Sequence, residues 1–280
     1  MVKKIAVAGA GTMGSGIAFV AAQVNIAVAI FDVNESALEK AKESVEKNLQ
    51  FLLSKNKTSE DEAANIRSKI NYTNDIDLCV GEIVIEAIIE HLEAKQQLLQ
   101  SIAAVNAPSS ILASNTSSLS IEAIQEKLPN PSRIAGIHFF NPAHVMKLVE
   151  VVKGKHTSED CIDNLMQFCK QLGKTPVSCV DAPGFIVNRV ARHFYLESLH
   201  LVEQGIAEPE QVDAAMEAAG FKMGPFKLMD MIGLDINAAV SASLYESFNK
   251  AIRFTPSKLQ LQKLKEGNLG KKTGKGFYQY

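Results

Sequence analysis

The chain has 280 residues, 46% hydrophobic and 21% charged, which is ordinary for a globular protein of one or two domains. Its 29 basic and 31 acidic side chains nearly cancel, and a net charge of −2 gives no positive field for nucleic acid or for a membrane surface. Trp is absent and aromatics make up only 6%, which argues further against base-stacking platforms.

In chain order, MVKKIAVAGAG leads straight from a β-rich run, Lys4 to Ala8, into a glycine turn. It has no apolar leader with a cleavage site, no Arg/Ser-rich transit pattern and no run of about 18 apolar residues. A cytoplasmic protein is expected. The four cysteines, Cys79, Cys161, Cys169 and Cys179, form no C-x-x-C pair and have no His at zinc-finger spacing. They read as small core residues in a reducing compartment, and no metal site is expected.

Gly14 to Gln23 is predicted helical, and Ile26 to Asp32 (IAVAIFD) is a second strand. Strand, glycine turn, helix and strand make a right-handed βαβ unit. A long amphipathic helix runs from Ser36, a possible cap, to about Lys55, and another from Asp61 to about Lys69. Glu82–Ile88 is a strand, Glu93–Val105 a helix, Ile111–Ser114 a strand and Ser120–Lys127 a short helix. Arg133–Phe140 and Leu148–Val152 are strands, Ser158–Leu172 is helical, and Lys174–Cys179 is strand-like. The alternation predicts a doubly wound, mostly parallel sheet. After DAPGF the pattern changes to helices near 185–204, 208–219, 225–230, 235–248 and 256–265. The fold class is therefore α/β, with a Rossmann-type domain over 1–183 and an all-α domain over 184–280. The tail GNLGKKTGKGFYQY reads as an irregular segment closing back on the fold.

VAGAGTMGSGIA places Gly9, Gly11 and Gly14 in G-x-G-x-x-G spacing between a strand and a helix. Gly9 permits the tight turn, Gly11 lets backbone N–H groups approach a pyrophosphate, and Gly14 lets the helix pack on the strand. Ala10, Thr12 and Met13 complete that cofactor loop. Asp32 ends the next strand, where a carboxylate accepts from ribose hydroxyls and repels a 2′-phosphate; NAD is expected over NADP.

Ligands in this fold lie over the carboxyl ends of the strands. Glu90 and Lys95 follow one strand, Asn115, Thr116 and Ser117 another, and His138 and Asn141 a third. From position alone, Glu90 and Lys95 read equally well as charges on a surface helix. His138 is the only one of six histidines that ends an apolar strand at this edge, where an imidazole can exchange a proton near neutral pH. Glu150, in LVEVV, would orient it if the two strands run side by side; a buried structural His–Glu pair is the alternative. Asn188, one helical turn into PGFIVNRV, is either an amide donor to a substrate oxygen or an interdomain packing residue.

With these segments in hand, the chain resembles the short-chain L-3-hydroxyacyl-CoA dehydrogenases, and among them the bacterial 3-hydroxybutyryl-CoA dehydrogenases. GAGTMGSGIA, EAIIEHLEAK, ASNTSSL, GIHFFNP, MKLVEVV, DAPGFIVNR, MGPFKLMDMIGLD and GKKTGKGFY carry the resemblance over essentially the whole chain. It implies that His138 is the catalytic base with Glu150 as its partner. Ser117 and Asn188 would hold the reacting oxygen and position the histidine. It further implies nicotinamide-side contacts from Glu90, Lys95, Ser117 and Asn141, a cofactor contact from Lys272, and coenzyme A contacts from Asn48, Lys55 and Ser117. An acyl-CoA substrate and a homodimer formed through the helical domain are implied, with no nucleic-acid or membrane partner. Two departures stand out: His144 replaces a proline common after HFFNP, and ARHFYLESL lacks another. The same fold acting on a sugar acid such as gulonate, or a non-catalytic relative such as a lens crystallin, are the other readings.

Overall fold

A computed structural model describes residues 1–280. The chain divides into two units, Met1–Ala182 and Pro183–Tyr280.

The first unit is one eight-stranded sheet with helices. Its strands are β1 (Lys4–Ala8), β2 (Ala27–Phe31), β3 (Ile70–Thr73), β4 (Ile83–Glu86), β5 (Ile111–Ser114), β6 (Ile134–Phe139), β7 (Leu148–Lys153) and β8 (Thr175–Val180). Their order is β3-β2-β1-β4-β5-β6-β7-β8. The expected mostly parallel, doubly wound sheet is present. Only the β6–β7 pair is antiparallel. Strands β4, β5 and β6 are buried along their whole lengths, which is why they read as continuous aliphatic runs rather than alternating ones. Pro176 is accommodated because β8 is an edge strand, where a missing N–H costs no ladder bond.

Helix α1 (Thr12–Gln23) is buried on most of its surface, so its sequence is small and apolar all round. Helix α2 (Glu35–Ser54) instead buries one stripe, Leu38, Ala41, Val45 and Leu49, at helical spacing. Asn34, rather than Ser36, caps α2: its side chain accepts from the Ser36 N–H at 2.9 Å. Ser59 and Glu62 form a reciprocal capping box on α3 (Glu60–Lys69). The sequence reading missed β3. Its four residues follow α3 with no turn residue between, and the strand sits at the sheet edge. Helices α4 (Leu92–Val105), α5 (Ile121–Gln125) and α6 (Glu159–Gln171) complete the unit.

The second unit is helical: α7 (Val187–Glu203), α8 (Pro209–Ala218), α9 (Pro225–Ile232), α10 (Leu234–Ser247) and α11 (Lys258–Lys265). Its tail is strapped down by two buried aspartates. Asp230 accepts the Phe277 and Tyr278 N–H groups, each at 2.9 Å, and Asp213 accepts the Tyr278 hydroxyl at 2.7 Å. No helix is long and apolar enough to cross a membrane.

Candidate active site

The glycine turn lies between β1 and α1, beside the point where the strand order reverses from β1-β2 to β1-β4. Its three glycines are glycine for different reasons. Gly9 has φ +111°, and a Cβ there would stand 2.6 Å from the Ala87 carbonyl oxygen. A Cβ on Gly14 would collide with the Gly9 carbonyl. Gly11 is different: its backbone is ordinary (φ −71°) and a Cβ would meet no atom within 4 Å. Nothing in the folded chain needs glycine at position 11, so the open space fits an external group brought against the backbone. No side chain caps the N-terminus of α1, so its first N–H groups and dipole favour an anion. The turn from Gly9 to Gly14 therefore fits the pyrophosphate of a dinucleotide.

Asp32 follows β2 and is partly engaged. One oxygen accepts the Ala10 N–H at 2.8 Å, and the other accepts the Asn34 N–H at 2.9 Å. It ties the glycine loop to β2 while standing where the adenosine ribose lies in this fold. Its charge at that place predicts that NADPH binds at least about tenfold more weakly than NADH, by the cost of juxtaposing like charges. A fluorescence titration of both cofactors checks this, and equal affinities would contradict it.

At the carboxyl end of β6, His138 is paired in register with Glu150 of β7. Antiparallel register puts both side chains on one face, and His138 Nδ1 lies 2.7 Å from Glu150 Oε2. Both are buried, at 6% and 1% exposure. An ionised carboxylate only accepts, so opposite one Nδ1 is the donor of the pair. Asn115, just after β5, accepts the Phe139 N–H at 2.9 Å and ties the two strand ends together. The Phe140 ring lies 4.4 Å from the imidazole, centroid to centroid.

Glu90 precedes α4 and organises the loop after β5. Its Oε1 accepts the Thr116 hydroxyl at 2.6 Å, the Ser117 and Ser118 N–H groups at 3.0 and 3.1 Å, and the Ser118 hydroxyl at 3.0 Å. The Ser117 hydroxyl is 3.4 Å away. Burial pushes the Glu90 carboxyl up, but the Thr116 hydroxyl, the Lys95 charge and the Ser117 and Ser118 donors together hold it below its ordinary value. Lys95 is not the surface charge that its helical position allowed; it is 1% exposed, with its ammonium on Glu86 and Glu90. Glu86, to which the sequence reading gave no role, is thus part of this end of the sheet. The signal was present: an ionisable residue in the aliphatic run EIVIEAI, the same irregularity that marked Glu150.

Asn141 is exposed after β6. His144, in the same turn, stands edge-on to Phe19 at 6.2 Å. Burial, with the Lys174 charge, pushes its imidazole below the usual histidine value. Asn48 lies on α2 and Lys55 just past its C-terminus, two turns on, with Phe51 between them 58% exposed. Asn188 opens α7 in the second unit. Lys272 lies in the tail of that unit, with its ammonium 2.6 and 2.7 Å from the two Asp235 oxygens. The first unit thus gathers the glycine loop, Asp32, Glu90, Ser117, His138 and Glu150 at the carboxyl edge of one sheet.

A dinucleotide cradle and a buried His–carboxylate pair on one sheet edge define a site of the oxidoreductase kind. Residues 4–182 match the NAD binding domain of 3-hydroxyacyl-CoA dehydrogenase, and residues 184–280 match its C-terminal domain. The 3-hydroxyadipyl-CoA dehydrogenase of Escherichia coli is 43% identical over all of this chain, which spans 59% of that protein's length. The mitochondrial hydroxyacyl-coenzyme A dehydrogenase of Rattus norvegicus is 41% identical over 100% of this chain and 92% of its own. The crystal structure of (S)-3-hydroxybutyryl-CoA dehydrogenase from Ralstonia eutropha superposes with a TM-score of 0.95 at 36% identity, covering 100% of this chain and 99% of that one. The chain belongs to the 3-hydroxyacyl-CoA dehydrogenase family, and its first unit is an NAD-binding domain.

Proposed function

We propose that this protein interconverts (S)-3-hydroxybutyryl-CoA and acetoacetyl-CoA, with short 3-hydroxyacyl-CoA thioesters as its substrate class. The observation that carries the reading is the His138–Glu150 pair, 2.7 Å apart and buried at the cofactor edge of the sheet. NAD, when bound, supplies the acceptor or donor of the hydride at substrate C3. In the oxidising direction, His138 Nε2 takes the C3 hydroxyl proton as that bond becomes a carbonyl. Glu150 holds the ring in the tautomer that can do so and stabilises the imidazolium that results. In the reverse direction the imidazolium returns the proton to the carbonyl oxygen. Ser117 and Asn188 are assigned to the reacting oxygen, Glu90 and Asn141 to the nicotinamide side, with the buried Lys95 acting there through Glu90, and Lys272 to a further cofactor contact. Asn48 and Lys55 are assigned to the coenzyme A moiety; as a half-buried amide and an exposed cation they suit a polar, phosphorylated ligand.

The helical unit is assigned to homodimer formation. Val190, Met231, Ile236 and Ile252 are each more than half exposed, as an apolar contact surface requires. A cytoplasmic setting is assigned on the cysteines, none of which is disulfide-bonded.

The substrate assignment is tested by offering (S)- and (R)-3-hydroxybutyryl-CoA separately with NAD+. The (S) thioester is expected to be oxidised at least about a hundredfold faster, since a misplaced hydroxyl loses its base. Equal rates, or a preference for the (R) form, would overturn the assignment.

A further inference from the structure

Lys95 has one ammonium and meets two carboxylates, Glu86 Oε1 at 2.7 Å and Glu90 Oε2 at 3.3 Å. Glu90 is reached by solvent; Glu86, at the carboxyl end of β4, is 0% exposed. Both oxygens of Glu86 are engaged within the fold, by three donors. Oε1 takes Lys95 and the Ile88 N–H, each at 2.7 Å, and Oε2 takes the Ser114 hydroxyl at 2.5 Å. Burying a carboxylate and an ammonium costs several kcal/mol per ion, and an apolar pair of the same volume often makes an equally stable core. Packing alone therefore does not account for the choice.

The second partner of Lys95 does. The Lys95 ammonium, fixed by Glu86, faces the carboxylate whose single oxygen gathers Thr116, Ser117 and Ser118. Glu86 also pairs in register with Ser114, the last residue of β5 before that loop, and accepts from its hydroxyl. The same carboxylate thus grips the loop at its root through Ser114, and at its tip through Lys95 and Glu90. We infer that Glu86 is a positioning residue for the reaction: by holding Lys95 and Ser114 it fixes Glu90 and the 115–118 loop that presents Ser117. The inference rests on the role given to Ser117 in the proposed function.

The test compares Glu86→Gln, which keeps shape but drops the charge, with the double variant Glu86→Gln/Lys95→Met, which leaves no buried ammonium short of a partner. Four readouts are taken: melting temperature, NADH affinity by fluorescence, kcat and KM for acetoacetyl-CoA, and hydrogen–deuterium exchange. In Glu86→Gln the Ser117 and Ser118 amides should exchange at least about tenfold faster while β1, β4 and β6 stay protected. kcat should fall by about tenfold or more, with KM within about threefold. In the double variant the melting temperature should recover towards wild type, but kcat should stay low. Recovery of kcat together with stability would reduce Glu86 to a structural counter-ion and overturn the inference. Unchanged exchange at Ser117 and Ser118 would overturn it whatever the substrate. A wild-type protein inert towards acetoacetyl-CoA would instead count against the proposed function, with the exchange result still deciding the role of Glu86.

Discussion

His138→Ala is expected to lower kcat for acetoacetyl-CoA reduction by about 10²–10⁴-fold, the range a positioned general acid or base supplies. NADH affinity should stay within about twofold, because the substitution touches the proton-transfer group and not the glycine cradle. The geometry sets this separation. His138 sits at the end of β6, held through Nδ1 by Glu150, while the cofactor loop sits between β1 and α1. Glu150→Gln should give a smaller loss by the same route, since an amide can accept from Nδ1 but cannot balance an imidazolium. Steady-state kinetics with a parallel NADH titration read both. If His138→Ala lost cofactor binding and turnover together, the pair would be a structural element of the sheet end and not the proton carrier.

The second large effect is a contrast between two glycines two residues apart. Gly9→Ala puts a side chain into a left-handed backbone with φ +111° and 2.6 Å from the Ala87 carbonyl. It should destabilise the fold by about 1–3 kcal/mol or more, the usual cost of such strain or overpacking. Gly11→Ala meets no atom within 4 Å on an ordinary backbone. It should leave stability unchanged or raise it by about 0.4–1 kcal/mol, through a less flexible unfolded chain. Yet it should weaken NADH binding by at least about tenfold, because the methyl occupies space that backbone approach to the pyrophosphate requires. Thermal melts and NADH titrations of the two variants separate the roles. A Gly11→Ala protein that bound NADH as wild type would show that the open space at Gly11 is not where the cofactor lies.

Much of this site is legible in the linear chain because its residues interrupt patterns. The glycine turn follows an aliphatic strand, and His138 and Glu150 are polar in buried runs that are otherwise apolar. Their pairing is another matter. A one-residue slip of β7 against β6 would point Glu150 away from His138, and no local signal in the turn 140–147 specifies the register. Lys95 shows the limit most plainly. In sequence it is one charge among several on a helix, and only the packing of α4 against the end of β4 turns it into a sealed counter-ion for Glu86 and Glu90. Strand β3 was hidden for a related reason: its pairing with β2, not its own four residues, makes INYT a strand. Asp32 was found by spacing, but its hold on the Ala10 N–H was not, because a carboxylate that serves both loop and ligand looks the same in sequence as one that serves either.

The most direct test of the account is the consumption of NADH by the purified protein with acetoacetyl-CoA, run beside free acetoacetate at the same concentration. Rapid loss of NADH absorbance with the thioester and little or none with the free acid is the predicted result. No turnover of acetoacetyl-CoA, or equal turnover of the free acid, would contradict the assignment of this site to 3-hydroxyacyl-CoA chemistry.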